Sequence, residues 1–386
     1  MSLRVLTFLH SFEPGGVERI ALRLVRAWQG TGVDAPLFMG REDGAMREEL
    51  AFGLDYHVPR QLPFSVAWFE TLWMIVTLPR TIRRLRPDIL FCAGNSYAVV
   101  AVAMKMLLRS ACPPIVAKMS NDLERRDMPW PVRACYHVWL RVQGRVFSHF
   151  VGMEQPMAQE IEHAVRPRGG ITIIPDPAVS LEQIAHLRKA ADTGGERLPG
   201  GLRFVAVGRL VPQKNIALML EAFARGSRPD DTLTLFGDGQ ERKQLQALAQ
   251  SLGIDSRVSF EGHVADPASR LGGYDIFLLS SDYEGVPAVV IEALAAGLPI
   301  IATDCSRSMS ALLGHGTLGS LLPVGCISAL ARAIADAGKL RQDSSASLDQ
   351  ARRFALESAS LAYLACFQTV AQGRRIRNKF ARPTAA

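Results

Sequence analysis

A chain of 386 residues is too long for one compact core, and with 48% hydrophobic residues it can fill two domains of roughly 150–200 residues each. Six widely separated cysteines without a Cys-x-x-Cys pair read as reduced, cytosolic usage, and eight histidines without a His-x-x-x-His spacing argue against a built-in metal site. The net charge of +7 is unevenly placed: residues 60–147 hold 13 Lys/Arg against 5 Asp/Glu, and the remainder nearly cancels.

The first residues, MSLRVLTFLHSFEPGG, have too short an apolar core for a signal peptide and read as a strand over 4–9 running into a Gly-rich turn. Further strands are expected at 35–39, 89–92, 115–119, 149–152 and 171–175, with helices between them, the pattern of parallel βαβ units. The run 89–104 comes nearest to a bilayer span, but Gly94, Asn95 and Ser96 interrupt it, so no transmembrane segment is expected. Two stretches, 71–87 and 132–147, interleave arginines with large apolar residues. That fits an anionic membrane surface and, equally, amphipathic core helices with solvated arginines. No aromatic stacking platform or zinc knuckle accompanies the charge, and nucleic acid is not an expected partner.

The polar, Gly-rich segment 186–201 marks a seam. It divides the chain into a first domain over 1–185, a linker over 186–202 and a second domain over 203–360, with a C-terminal helix and basic tail over 361–386 expected to return to the first domain. The second series of strands falls at 203–208, 232–236, 257–260, 275–279 and 299–303. Two doubly wound α/β domains account for this order, and in such sheets ligands bind beyond the carboxyl ends of the strands.

Four turns that follow strands hold the candidate chemistry. In Glu13-Pro14-Gly15-Gly16-Val17-Glu18, paired glycines let the backbone approach a ligand and the next helix offers free N–H groups to an anion; a plain turn explains them as well. In Gly208-Arg209-Leu210-Val211-Pro212-Gln213-Lys214-Asn215, two cations flank one strand-to-helix turn and can converge on a diphosphate, or remain solvated surface charge. In Gly237-Asp238-Gly239 the glycines suit close approach to a base or ribose, or a structural turn. The fourth segment is SSDYEGVPAVVIEALAAG, residues 280–297, where Pro287 suits the first helical position. Glu284 then falls in the loop, and Glu292 is the only charge of an otherwise apolar helix from 288 to 296. A buried carboxylate needs a partner, so either a basic side chain or a ligand rich in hydroxyls should reach Glu292. The loop Gly285-Val286-Pro287 and the helix start present backbone groups to phosphate.

The ordered set of GGVE, GRLVPQK, LFGDGQ, two Glu residues separated by seven positions in EGVPAVVIE, and AAGLPIIATD closely resembles glycosyltransferase family 4, most strongly over 203–304. The resemblance implies a GT-B fold of two Rossmann-like doubly wound parallel-sheet domains facing across a cleft, and a retaining transfer from a nucleoside diphosphate sugar. By the same resemblance, Arg209 and Lys214 hold the donor diphosphate, with Gly208 in the same turn, and Gly16, beside Gly15, lets the first-domain loop approach it. Glu292 binds the ribose and Glu284 lies by the donor sugar. Charge on the departing β-phosphate is then met by Arg, Lys and a helix N-terminus, with no metal and no cofactor.

The chain departs from the family pattern twice. Where family members often have a His after the strand at 115–119, this chain reads Lys118-Met119-Ser120-Asn121-Asp122. Ser120, Asn121 and Asp122 are candidates for orienting the donor sugar or acceptor, Asn121 and Asp122 equally for a simple turn or cap, and His10 is a more distant candidate. After Asp304 the frequent Gly-Gly-x-x-Glu turn is replaced by Cys305-Ser306-Arg307-Ser308-Met309-Ser310. The resemblance places the chain in bacterial surface-polysaccharide assembly, cytoplasmic or peripheral on the inner face of the plasma membrane, acting on a saccharide or polyprenyl-linked acceptor. Sugar-nucleotide epimerisation or hydrolysis on the same fold, and a donor-binding subunit with impaired catalysis, are the competing expectations.

Overall fold

The computed structural model describes residues 3–13, 15–61, 64–119, 123, 125, 128–193, 200–264 and 266–380. The chain divides into two compact units, Met1–Asp176 with Leu356–Ala386, and Pro177–Ala355.

The first unit is built on seven parallel strands: β1 (Val5–Leu9), β2 (Leu37–Met39), β3 (Tyr56–His57), β4 (Ile89–Cys92), β5 (Ile115–Lys118), β6 (His149–Gly152) and β7 (Gly170–Ile173). Their spatial order is β3-β2-β1-β4-β5-β6-β7. The strands at the centre are buried on both faces, so they read as continuous apolar runs such as VLTFL and ILFC. Helices α1 (Gly16–Gly30), α2 (Arg47–Leu50), α3 (Glu70–Leu85), α4 (Ala98–Leu108), α5 (Trp130–Val146) and α6 (Gln155–Glu160) occupy the crossovers.

The second unit opens with α7 (Leu181–Thr193) and continues through β8 (Arg203–Val207), α8 (Ile216–Gly226), β9 (Thr232–Phe236), α9 (Arg242–Ser251), β10 (Val258–Gly262), β11 (Ile276–Leu279), α10 (Ala288–Ala295), β12 (Ile300–Thr303), α11 (Met309–Leu312), β13 (Ser320–Leu322), α12 (Ile327–Ala335) and α13 (Ser344–Arg352). Its six parallel strands run β10-β9-β8-β11-β12-β13. In each sheet the order reverses once, between β1 and β4 and between β8 and β11. Those reversals create the crevices in which α/β sheets place ligands.

The boundaries differ from the expected ones at 185, 203 and 360. Residues 186–193 continue α7, whose Ile184 and Leu187 are buried in the second core, so helical packing overrides the polar composition that suggested a linker there. At the other edge, α14 (Leu356–Phe380) belongs wholly to the first unit. Its Tyr363 and Phe367 close an aromatic cluster with Trp28 and Phe91, with ring centroids 5.3 Å apart for Trp28–Phe367 and for Phe91–Tyr363. Burying rings of this size stabilises by about 1.5–3 kcal/mol each, enough to hold α14 against α1.

Candidate active site

In the second unit the connections after β8 and β11 meet at the reversal of strand order. Ser280 Oγ donates to the carbonyl of Lys214 at 2.8 Å, Asp282 N to Gln213 O at 2.9 Å, and Gln213 Nε2 to Tyr283 O at 2.8 Å. Asn215, at φ 46°, caps α8 by accepting from Leu218 N and donates from Nδ2 to Asp282 Oδ1 at 2.8 Å. This frame brings Lys214 Nζ onto Glu284 Oε1, which also accepts from Ser281 Oγ at 2.8 Å. The two side chains are only 15% and 13% exposed, so the pair is largely desolvated but reachable from outside. Beneath it Ser280, Ser281 and Thr303 are fully buried, and Thr303 Oγ1 donates to Ser281 O at 2.6 Å.

At Gly237 and Gly239 the structure shows why a structural turn needs glycine. A Cβ at Gly237, whose φ is 140°, would overlap the carbonyl oxygen of Gly208, and one at Gly239 would overlap that of Leu210. The turns after β8 and β9 are zipped backbone to backbone, with Gly208 N donating to Phe236 O and Leu210 N to Asp238 O, both at 2.9 Å. Turn-to-turn packing thus accounts for these glycines. A Cβ on Gly208 would lie 3.3 Å from Lys214 Cε, so the lysine stem lies across that glycine.

Arg209 follows the end of β8, exposed, and its guanidinium makes no hydrogen bond or ion pair among the described residues. Gly285 is exposed, Val286 half-buried and Pro287 buried. Pro287 is the N-cap of α10, at φ −74° and ψ 105°, rather than its first helical residue; its extended backbone lets the chain enter from the loop. No side chain caps α10. Glu292 is half-buried within that helix rather than fully buried, so the desolvation argued for it from an all-apolar helix is only partial. Among the described residues no group of three or more His, Cys, Asp or Glu side chains is arranged to hold a metal ion.

The first unit has its own polar cluster at the corresponding reversal. Gly15 is the N-cap of α1, and Glu18 curls back so that a Cβ on Gly15 would overlap its carboxylate, whereas a Cβ on Gly16 would meet nothing within 4 Å. Glu18 Oε1 accepts from Tyr97 Oη at 2.6 Å, and the Tyr97 ring lies 4.7 Å from that of His10. His10 Nδ1 is 3.7 Å from Glu70, which also accepts from Arg41 Nη2 at 3.1 Å. Burial lowers the pKa of His10 from 6.5 against the opposing pull of Glu70 and Glu18, and burial followed by Glu18 raises that of Tyr97. Lys118 ends β5 buried and ion-paired with Asp176. Ser120, Asn121 and Asp122 lie outside the described residues.

The family model described as "Glycosyltransferase Family 4" matches residues 14–178, and that described as "Glycosyl transferases group 1" matches 196–354. The chain belongs to glycosyltransferase family 4. LpsE, a lipopolysaccharide core biosynthesis glycosyltransferase of Rhizobium meliloti (strain 1021), is 35% identical over 130 residues, covering 34% of this chain and 37% of that protein. A GDP-mannose-dependent alpha-mannosyltransferase of Mycobacterium tuberculosis is 28% identical over 346 residues, 84% of each chain. Among solved structures, Anabaena Alr3699/HepE in complex with UDP superimposes with a TM-score of 0.75 at 21% identity, over 95% of this chain and 100% of that one, a likeness of GT-B fold. The chain thus spans little more than a third of the first of these relatives.

This family-4 member also has site residues to which its sequence assigned no role. Burial and then the Glu284 carboxylate push the Cys305 thiol up to about 12, so at neutral pH an uncharged thiol stands beside the Lys214–Glu284 pair. Its place in the connection that follows β12 was the available signal. Arg41, Glu70 and Tyr97 gave none, because they meet one another and His10 from separate connections.

Proposed function

We propose that this glycosyltransferase moves a hexose from a nucleoside diphosphate sugar, with retention and without a metal, to a saccharide or lipid-linked saccharide in bacterial surface-polysaccharide synthesis. The observation that supports it is the Lys214–Glu284 pair at the β8/β11 reversal, beside an exposed Arg209 with no partner among the described residues. A diphosphate arriving there finds a guanidinium with all its donors free and an ammonium that can turn from carboxylate to phosphate oxygen. As the bond to the sugar breaks, both cations meet the charge gathering on the β-phosphate. Glu284, released from Lys214 but still held by Ser281, accepts from sugar hydroxyls, and Glu292 accepts from the ribose. Asn121 and Asp122 belong to the same reading as sugar-orienting residues. The kinship with transferases favours transfer over epimerisation or hydrolysis.

Removing one such charge stabiliser costs about 10²–10³ in turnover, so Arg209→Ala and Lys214→Ala should each fall by that factor. Wild-type turnover in both would overturn the assignment. The mannosyltransferase relative is named for GDP-mannose and the HepE structure holds UDP, so the base is best chosen by thermal stabilisation with UDP-, GDP- and ADP-sugars. The anomeric configuration of the product, read by NMR, tests retention.

For location, we propose a cytoplasmic protein resting on the inner face of the plasma membrane through the basic region 60–147. No helix among the described residues is long and apolar enough to cross a membrane. Trp68, Leu72, Val76, Met106, Trp130 and Val138 are exposed within that region, among its arginines.

A further inference from the structure

At the edge of the first sheet, β3 and the segment after it face α3 across a cavity of about 300 Å³, the lower end of the range for small-molecule sites. Arg60, Arg80 and Arg84 line it together with His57, Trp73 and Thr77, and no Asp or Glu does. None of the three guanidinium groups makes a hydrogen bond or ion pair among the described residues, and the indole N–H of Trp73 is buried with no acceptor. Three like charges around one cavity repel one another, and no carboxylate among the described residues lines it to offset them. Such a constellation is complementary to an anion with several oxygens, and arginine forks fit the oxygens of a phosphoryl group.

The flank of the cavity says which phosphate. Trp73, Thr77, Arg80 and Arg84 recur along one face of α3 at helical spacing, and the face next to it presents Leu72 and Val76, both exposed. Phe64 and Trp68, the latter 85% exposed, continue that apolar stripe ahead of the helix. A water-soluble phosphate has no use for an apolar border, whereas an amphiphile uses both at once. We infer that this pocket binds the phosphate headgroup of an anionic membrane lipid, with the stripe from Phe64 to Val76 entering the acyl boundary. The inference deepens the membrane part of the reading above and is separate from the donor site.

Sedimentation with phosphatidylglycerol–phosphatidylcholine vesicles, against pure phosphatidylcholine, tests it on the full chain. Arg80→Gln/Arg84→Gln should weaken binding about 30-fold and abolish the preference for phosphatidylglycerol, at about fivefold for each basic residue near an anionic surface. A charge-matched control outside the cavity, Arg83→Gln/Arg141→Gln, should lose less and keep the preference. Equal losses in the two double variants overturn the pocket while leaving a diffuse basic surface. Absence of wild-type vesicle binding overturns both, and if inorganic phosphate or glycerol phosphate then stabilises the protein against heat, the site is one for free phosphate. Unchanged thermal stabilisation by the donor in Arg80→Gln/Arg84→Gln shows that the fold and the donor site are intact, so a failure here is distinct from a failure of the transferase reading.

Discussion

Each unit gathers titratable side chains where its strand order reverses, but the two clusters are finished differently. In the first, Arg41 is spent on Asp43 and Glu70, Tyr97 on Glu18, and His10 is held uncharged by burial. In the second, Arg209 is left without a partner among the described residues, and Lys214 has one carboxylate that is itself anchored by Ser281. The first cluster is closed on itself; the second retains binding capacity for an anion. The same topology therefore yields a structural knot in one unit and a phosphate-ready turn in the other, and the difference lies in whether charges are satisfied internally.

The sharpest way to break this comparison is to separate stability from chemistry at the Lys214–Glu284 pair. Lys214→Met leaves a largely desolvated carboxylate with only a hydroxyl donor, a loss of about 3–5 kcal/mol in denaturant unfolding. Lys214→Met/Glu284→Gln should recover most of that stability and none of the turnover, since two neutral groups pack where two charges stood but no cation reaches the phosphate. Recovery of turnover along with stability would show the pair to be structural, like the first-unit cluster. Gly237→Ala is next: overlap with the Gly208 carbonyl and a φ of 140° together should cost about 3 kcal/mol and displace the turn that positions Arg209 and Lys214. An unfolding midpoint near wild type would mean that the two turns separate at little cost.

How much of this was legible in the chain depends on distance along it. The strand-and-turn periodicity places Arg209, Lys214 and Glu284 after strands, and the sheets confirm two doubly wound domains. That Lys214 and Glu284 touch was not legible, because they lie 70 residues apart and become neighbours only through the β8–β11 adjacency. The glycines were visible but their reason was not: a glycine that lets a ligand approach and one that lets another backbone approach have the same sequence signature. Composition misplaced the domain edges, since α7 and α14 are assigned by the cores that their Leu187 and Tyr363 enter, not by their polar residues. Arg41, Glu70 and Tyr97 come from three separate connections to surround His10, and nothing local announces that meeting.

Acid should sharpen the contrast from the other side. The folded pKa of His10 lies below its ordinary 6.5, so between those two values the unfolded chain binds more protons than the folded one. Stability is then fully present above 6.5 and is lost as pH falls through the folded value. Glu70, Glu18 and Arg41 face the ring: the two carboxylates favour its protonation, while burial, the largest cause, and Arg41 oppose it. His10→Gln, which stays neutral, should flatten the decline in melting temperature on acidification; an unchanged slope would assign acid sensitivity to other groups.

The smallest expected effect is also the most discriminating for the two glycine-rich turns. Gly16→Ala adds a methyl group where nothing lies within 4 Å and where the backbone is already helical, so unfolding should shift by no more than about 0.5 kcal/mol, and in the stabilising direction if at all. Gly15→Ala must instead move the flexible Glu18 side chain off its bond to Tyr97 and should cost about 1 kcal/mol, the worth of one hydrogen bond. With folding unaffected in Gly16→Ala, any fall in donor affinity measures ligand approach alone, the property that Gly237 cannot report because its loss disturbs the turn itself. Donor affinity unchanged in Gly16→Ala would make the open space at that residue incidental.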